Sequence, residues 1–329
     1  MRLSAQEKQE IIHLVDRSDL GVNRTLKELG IHKSTFYKWY KVYQAKGLLG
    51  LQPQKRTRQQ WNSIPEEQKQ LVVEVALDNP ILSPRELSVK ITDEQRIFIS
   101  ESSVYRILKS KGLITTPAHI LLSASNEFKE KTLFVHQMWQ TDFTYFKILG
   151  WGWYYLSTIM DDYSRYIIHW ELCKTMKAQD VERTVEMALL IAGLNPYQRP
   201  KLLSDNGACY IASELQDYLK SKGIRQVHGK INHPQTQGKI ERYHRSMKNV
   251  VKLDHYFCPE ELQEALGQFV NYYNHQRYHE SLNNVTPADV YFGKQEQILK
   301  RRDKIKQQNL IQRRRIYFTE KLINKSVSL

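Results

Sequence analysis

Three β-prone runs follow one another between Trp139 and Cys173, and they constrain the fold more than any other stretch of this chain. Trp139–Phe146, Tyr154–Met160 and Tyr166–Cys173 are rich in aromatic and β-branched residues and read as three antiparallel strands. Apolar spacing then predicts a helix over Val181–Ala192, a short strand at Lys201–Ser204, a helix over 210–221 and a short strand at Ile224–Val227. A helix opening near Thr236 or Gln237 and another over Glu260–Tyr273 close the series. Strands first, then alternating helices and strands, call for an α/β domain: a mixed five-stranded sheet covered by helices.

Three carboxylates stand at telling places in this pattern. Asp142 lies near the middle of the first strand, between Phe143 and the Gln140-Thr141 pair. Asp205 follows the short strand Lys201-Leu202-Leu203-Ser204 and precedes Asn206-Gly207, where a strand breaks into a turn. Loops beyond strand ends are where open α/β sheets gather their ligands. Glu241 falls in an early turn of the helix that opens after Gln237, and 35 residues separate it from Asp205. Hard oxygen ligands of this kind can share two divalent cations roughly 3.5–4 Å apart, which would clamp the attacking and leaving oxygens of a phosphoryl displacement. His244, Arg245 and Lys248 follow Glu241 at i+3, i+4 and i+7, on its helical face, where cations can hold phosphates.

Trp139-Gln140-Thr141-Asp142, Asp161-Asp162-Tyr163-Ser164-Arg165, Ser204-Asp205-Asn206-Gly207 and His233-Pro234-Gln235-Thr236-Gln237-Gly238-Lys239-Ile240-Glu241-Arg242 occur in that order. Together they resemble the integrase-type core of bacterial insertion-sequence transposases, the group related to insertion sequence three and to retroviral integrases. Asp142, Asp205 and Glu241 match that family's acidic triad. The resemblance implies a ribonuclease H-like fold, two Mg²⁺ ions with Mn²⁺ as substitute, donor-end cleavage by water, and strand transfer by the freed 3′-hydroxyl. It also implies a multimer bridging two DNA ends. Lys239 and Arg242 would position phosphates beside the scissile bond, while Asn206 and Gly207 shape the turn that presents Asp205. Asp161 and Asp162 compete for the triad, but they follow one strand-like run and precede Arg165, so a hairpin turn with a local Asp–Arg pair is the simpler account.

Two all-α units precede the core. Residues 5–16 carry Ile11, Ile12, Leu14 and Val15 in helical spacing, Thr25–Leu29 forms a second short helix ended by Gly30, and a third begins around Ile31–Tyr40. This is the order of a helix-turn-helix, with Ser34 as the expected N-cap and Lys33, Ser34, Thr35 and Lys38 facing DNA. A second unit repeats the order: a helix from Pro65 through Leu77, one opened by Ser83-Pro84, and one over Ser100–Lys109 whose Ser102, Ser103 and Arg106 would meet DNA. The polar linker between the units holds Lys55, Arg56 and Arg58, which could track a phosphate backbone. The expected domains are therefore 1–50 (helix-turn-helix), 51–62 (linker), 63–114 (second helix-turn-helix), 115–135 (connector), 136–292 (catalytic core) and 293–329 (basic tail).

Charge supports a polyanionic partner. The formal net charge is +14, and the stretch from Lys294 to Leu329 carries eleven Lys and Arg against three Asp and Glu. Concentration of the excess there favours contact with DNA, or contact in trans within an assembled complex, over a plain solvated helix. Three scattered cysteines, Cys173, Cys209 and Cys258, support neither a disulfide framework nor a cysteine zinc site. No apolar run approaches the roughly 20 residues that span a bilayer, and a signal-peptide core is lacking, so the expectation is a cytoplasmic, nucleoid-associated protein without a membrane partner.

The function expected from these features is binding of terminal inverted repeats in double-stranded DNA, followed by metal-dependent end cleavage and joining. Two alternatives share some of them: a DNA-binding regulator whose core is catalytically silent, and a nuclease on RNA–DNA hybrids, which would give no reason for paired helix-turn-helix units.

Overall fold

A computed structural model describes residues 4–18, 20–52, 60–114, 132–228, 237–251 and 256–326. The chain divides into two compact units, residues 1–63 with 317–329, and residues 64–316. Each is taken by itself.

In the first unit α1 (Ala5–Arg17), α2 (Val22–Glu28) and α3 (Lys33–Leu51) pack around Ile12, Val15, Leu26, Phe36 and Leu51. Ser4 caps α1 by accepting from the Glu7 amide, while the Glu7 carboxylate accepts from the Ser4 amide. The α3 cap departs from expectation. His32, not Ser34, is the N-cap; Ser34 lies inside the first turn with its hydroxyl 2.9 Å from His32 Nδ1. The reason is chain path: extended backbone persists through His32, so the helix starts one residue before the serine.

The second unit opens with α4 (Glu66–Asp78), α5 (Pro84–Gln95) and α6 (Glu101–Ser110), closed around Val72, Leu87, Ile91, Ile99, Val104, Ile107 and Leu108. Ser83 and Glu86 form a capping box at the helix start that Ser83-Pro84 predicts. Then come β1 (Met138–Ile148), β2 (Gly152–Asp161) and β3 (Ile167–Cys173), followed by α7 (Ala178–Ala192), β4 (Lys201–Ser204), α8 (Ala208–Ile211), α9 (Ser213–Ser221) and β5 (Arg225–His228). The stretch 210–221 is thus two helices rather than one, because Ala212 is extended and breaks the run. The order across the sheet is β3-β2-β1-β4-β5, with β1 antiparallel to β2 and parallel to β4. This is the mixed five-stranded sheet expected from the order of the sequence elements.

Helices cover both faces. Phe146, Leu156 and Met160 pack under α10 (Gly238–Val251) and α11 (Pro259–His275), whereas Trp139, Ile159 and Leu202 pack under α7, α8 and α9. Along α10 the buried apolar residues are Ile240, Tyr243, Met247 and Val251, a spacing that seats one stripe on the sheet and leaves Glu241, Arg242 and Arg245 outside it.

A short α12 (Pro287–Tyr291) leads into α13 (Gln295–Ser326), where Arg302 and Arg313 turn inward while Lys300, Arg301, Lys304, Lys306, Arg314 and Arg315 stay exposed. Arg302 makes a forked pair with Asp93 of α5, at 2.8 and 2.6 Å, and donates to the Asn284 carbonyl. Arg313 donates to the Phe98 carbonyl and to Gln68. Asn309 bonds the Phe98 amide and the Arg96 carbonyl. Several of the tail's polar groups therefore pair with this three-helix segment, because Asp93 of α5 and the open carbonyls of Arg96 and Phe98, between α5 and α6, lie along its path. Residues 64–114 and the core lie in one compact unit, within which α4–α6 keep a hydrophobic cluster of their own.

Candidate active site

The sheet register sets the first two acids. The last β1–β4 pair is Gln140 with Leu203, and Asp142 and Asp205 each lie two residues further on. Parallel neighbours rise together about 4.8 Å apart, so both acids reach the same level of the sheet where the two strands part. Both charges act on the same neighbours: they help to raise the Cys209 thiol, after burial, to about 11, and they push up the Tyr210 hydroxyl, which burial raises most. Asp205 Oδ1 accepts from the Gly207 amide at 2.9 Å, an Asx-type turn that holds the carboxylate as the chain leaves β4. A Cβ at position 207 would stand 3.0 Å from that oxygen, so glycine leaves room for the turn.

The third acid arrives on α10. His244, one turn after Glu241, places Nδ1 3.3 Å from Asp142 Oδ2, and its Nε2 lies 3.4 Å from Thr158 Oγ1 on β2. Residues at i and i+3 leave a helix on one face, so the His244 contact brings Glu241 to the same side as Asp142. The Glu241 carboxyl titrates above the ordinary glutamate range, first through partial burial and then through the Asp142 charge. Like-charge crowding of this kind is what a bound cation relieves. Among the described residues, however, no three His, Cys, Asp or Glu side chains close into a metal-holding cluster. The donor type and strand register fit a hard divalent cation; Asp142 has His244 as a partner, and Asp205 accepts from the Gly207 amide.

Behind the acids lies a buried polar clamp. Gln140 Nε2 donates to Asp162 Oδ1 at 2.6 Å, while its Oε1 accepts from the Ile240 amide at 3.1 Å. Lys239 Nζ bonds Asp162 Oδ2 at 2.7 Å and the Asp162 carbonyl at 2.8 Å. The first turn of α10 is thereby fastened to β1 two residues before Asp142. Gln237 adds a bond to the Thr141 carbonyl. Lys239 therefore points inward, and His244 is buried against Asp142, where a place at the phosphates had been expected for both. The cause is that Asp162 and Asp142 offer desolvated carboxylates within reach of the α10 face packed on the sheet.

Asp161 and Asp162 are structural, although not through an Asp–Arg ion pair. Asp161 accepts from the Ser164 hydroxyl and amide and from the His136 amide, and burial raises its carboxyl. Arg165 reaches Asp161 only by its main-chain amide. Of the remaining sites, Lys33, Ser34 and Lys38 are exposed on α3 and Thr35 is half-buried. Ser102 is exposed, and Arg106 folds back onto the Ser102 carbonyl and Ser103 hydroxyl. Arg242 and Arg245 are exposed, and Lys248 sits 4.7 Å above the Tyr145 ring. Lys55, Arg56 and Arg58, like His233–Thr236 of the fourth motif, lie outside the described residues. Gln140 had not been singled out; the available signal was a long polar side chain two residues from an acid in an otherwise apolar strand.

Comparison with known proteins gives this architecture a class. Residues 135–234 and 222–287 match integrase core domain families, residues 7–58 match a helix-turn-helix domain, and residues 35–108 match a homeodomain-like domain. Residues 135–287 are thus similar to integrase core domains, and the segments before them to helix-turn-helix domains. Its relatives include the Escherichia coli (strain K12) protein named as a candidate transposase, InsK, for insertion sequence element IS150, 29% identical over 42% of this chain and 48% of its own length. The Staphylococcus aureus transposase for transposon Tn552 is 24% identical over 82% of this chain and 61% of its own. The chain thus spans about half to two thirds of the length of these curated relatives. The HTLV-2 integrase catalytic core domain, solved in complex with magnesium, is similar at 20% identity with a TM-score of 0.39, over 48% of this chain and 98% of that one.

Proposed function

We propose that this chain is a transposase, which binds the terminal inverted repeats of an insertion sequence and carries out metal-dependent end cleavage and strand transfer at Asp142, Asp205 and Glu241. The observation that carries the reading is the register: Asp142 and Asp205 stand at the same level beyond the last β1–β4 pair, and His244 ties the Glu241 helix to Asp142. The relatives named as transposases support it.

In this reading the three carboxylates hold divalent cations, two Mg²⁺ or in their place Mn²⁺. When bound, such ions lower the charge barrier between an attacking oxygen and a phosphodiester and stabilise the leaving 3′-oxygen. The protein's own part is placement: β1 and β4 present Asp142 and Asp205, the Gln140–Asp162–Lys239 clamp fixes the start of α10, and His244 orients Asp142. Arg242, Arg245 and Lys248 lie on the outward side of α10 to meet phosphates. Lys33, Ser34, Thr35 and Lys38 on α3, with Ser102, Ser103 and Arg106 on α6, read the duplex, and a multimer bridges two ends.

The test is a labelled transposon end incubated with Mg²⁺. Asp142→Asn, Asp205→Asn and Glu241→Gln should each abolish nicking while duplex affinity changes less than about threefold. Nicking retained in one variant removes that residue from the mechanism, and a wild-type chain that binds without ever nicking is a regulator.

A further inference from the structure

The hairpin joining β1 and β2 carries an exposed group of rings that no part of the acid site uses. Tyr145 and Trp153 stand edge to face, centroids 5.4 Å apart, and remain 53% and 51% exposed. Register places Lys147 opposite Trp153, and its ammonium lies 5.7 Å from that ring. Lys248 of α10 lies 4.7 Å from the Tyr145 ring. Leu149 and Trp151 extend the surface to the hairpin tip, which Gly150 and Gly152 turn with φ of 83° and 91°. The pairing of β4 with β1 ends at Gln140, and among the described residues no strand pairs with the β1 stretch bearing Tyr145 on that side.

Position relates this surface to the acids. Tyr145 is three residues along β1 from Asp142, about 10 Å, an odd step that turns the two side chains to opposite faces of the strand, so the route between them runs by way of α10. Lys248 is two helical turns along α10 from Glu241, again about 10 Å. A nucleic-acid strand leaving the acids along α10 would arrive there after roughly three nucleotides.

We propose that Tyr145, Trp153, Lys147 and Lys248 form a stacking platform for unpaired bases of the DNA strand that runs through the acid site. Aromatic faces accept any base by stacking, but only once the base has left its duplex, and neighbouring ammonium groups hold the intervening phosphates. A second copy of the chain is the competing occupant. It is disfavoured because lysines stand over both rings, and lysine is depleted from the buried centre of protein interfaces. The platform rests on the proposed function and extends it: ends would be engaged partly melted.

The experiment compares binding of the full chain, in Ca²⁺ buffer, to a blunt duplex and to the same duplex with an unpaired tail of mixed sequence. The tailed duplex should bind tighter, and Tyr145→Ala with Trp153→Ala should lower its affinity about tenfold while blunt-duplex affinity stays within about twofold. Trp153→Phe, which keeps a ring, should restore most of the preference. 5-Iodouracil placed in the tail should photocrosslink to the peptide spanning residues 145–153. Both side chains are exposed, so melting temperature serves as the control for folding. Equal loss on both substrates, no loss on either, or a change in sedimenting mass without change in tail preference would each overturn the platform. Magnesium-dependent nicking by the wild-type chain is scored separately: nicking without a tail preference sinks the platform and leaves the transposase reading standing.

Discussion

His244 Nδ1 lies 3.3 Å from Asp142 Oδ2, with the His244 side chain 7% exposed and that of Asp142 20%. A helix residue thus reaches across to a strand residue and sets how α10 stands against the first acid. Partners of this kind fix a ligand's orientation, and their loss costs about 10–100-fold in affinity or activity.

His244→Leu should therefore lower nicking of a labelled end by about 10–100-fold with duplex affinity nearly unchanged, as measured by gel kinetics and a mobility-shift titration. Unaltered nicking would show that Asp142 needs no such support.

The Lys239–Asp162 pair predicts a stability effect rather than a binding one. Lys239→Met leaves the Asp162 carboxylate, 5% exposed, with Gln140 and Thr132 as its side-chain partners among the described residues, and should cost about 2–4 kcal/mol by urea unfolding. Lys239→Met with Asp162→Leu should recover part of that loss. If Lys239 instead serves phosphates, the single variant would weaken DNA binding and leave unfolding untouched.

Arg302 should behave as a brace. Its fork to Asp93 and its bond to the Asn284 carbonyl fall between side chains about 13% and 14% exposed, so Arg302→Ala should raise amide exchange over 84–95 at least severalfold. Exchange confined to its wild-type pattern would mean that the helix holds by other contacts.

His279 makes stability fall in acid. Burial, then Arg277, Arg165, Arg85 and Arg242, lower its pKa from 6.5 to about 3. Its Nε2 is buried without a hydrogen-bond partner, and its ring meets Tyr273 at 4.9 Å. Because the unfolded chain takes up the proton first, stability from this group is complete above about 6.5, declines as pH falls and is lost below about 3. His279→Phe, which keeps the ring contact, should shrink the drop in melting temperature between pH 7 and pH 4. An unchanged drop would assign the acid sensitivity to other groups, the buried Asp161 excepted, since a raised carboxyl stabilises the fold toward acid.

Much of this protein is local chemistry that the sequence by itself determined. Runs of aromatic and β-branched residues give β1, β2 and β3; Ser83-Pro84 starts α5; the spacing of Ile240, Tyr243 and Met247 gives α10 its buried stripe. The three acids were legible because each stands at a chemically odd place: mid-strand, strand end, early helical turn. Which cations face outward was decided only by tertiary structure. Lys239, His244, Arg302 and Arg313 look in the sequence like their exposed neighbours, since charge and helical spacing do not tell which carboxylate or carbonyl another element brings within about 3 Å. Desolvation makes such groups pair wherever packing places a partner, and the seating of α10 on the sheet, together with the path of α13 past α5, supplies those partners from 77 to 215 residues away along the chain.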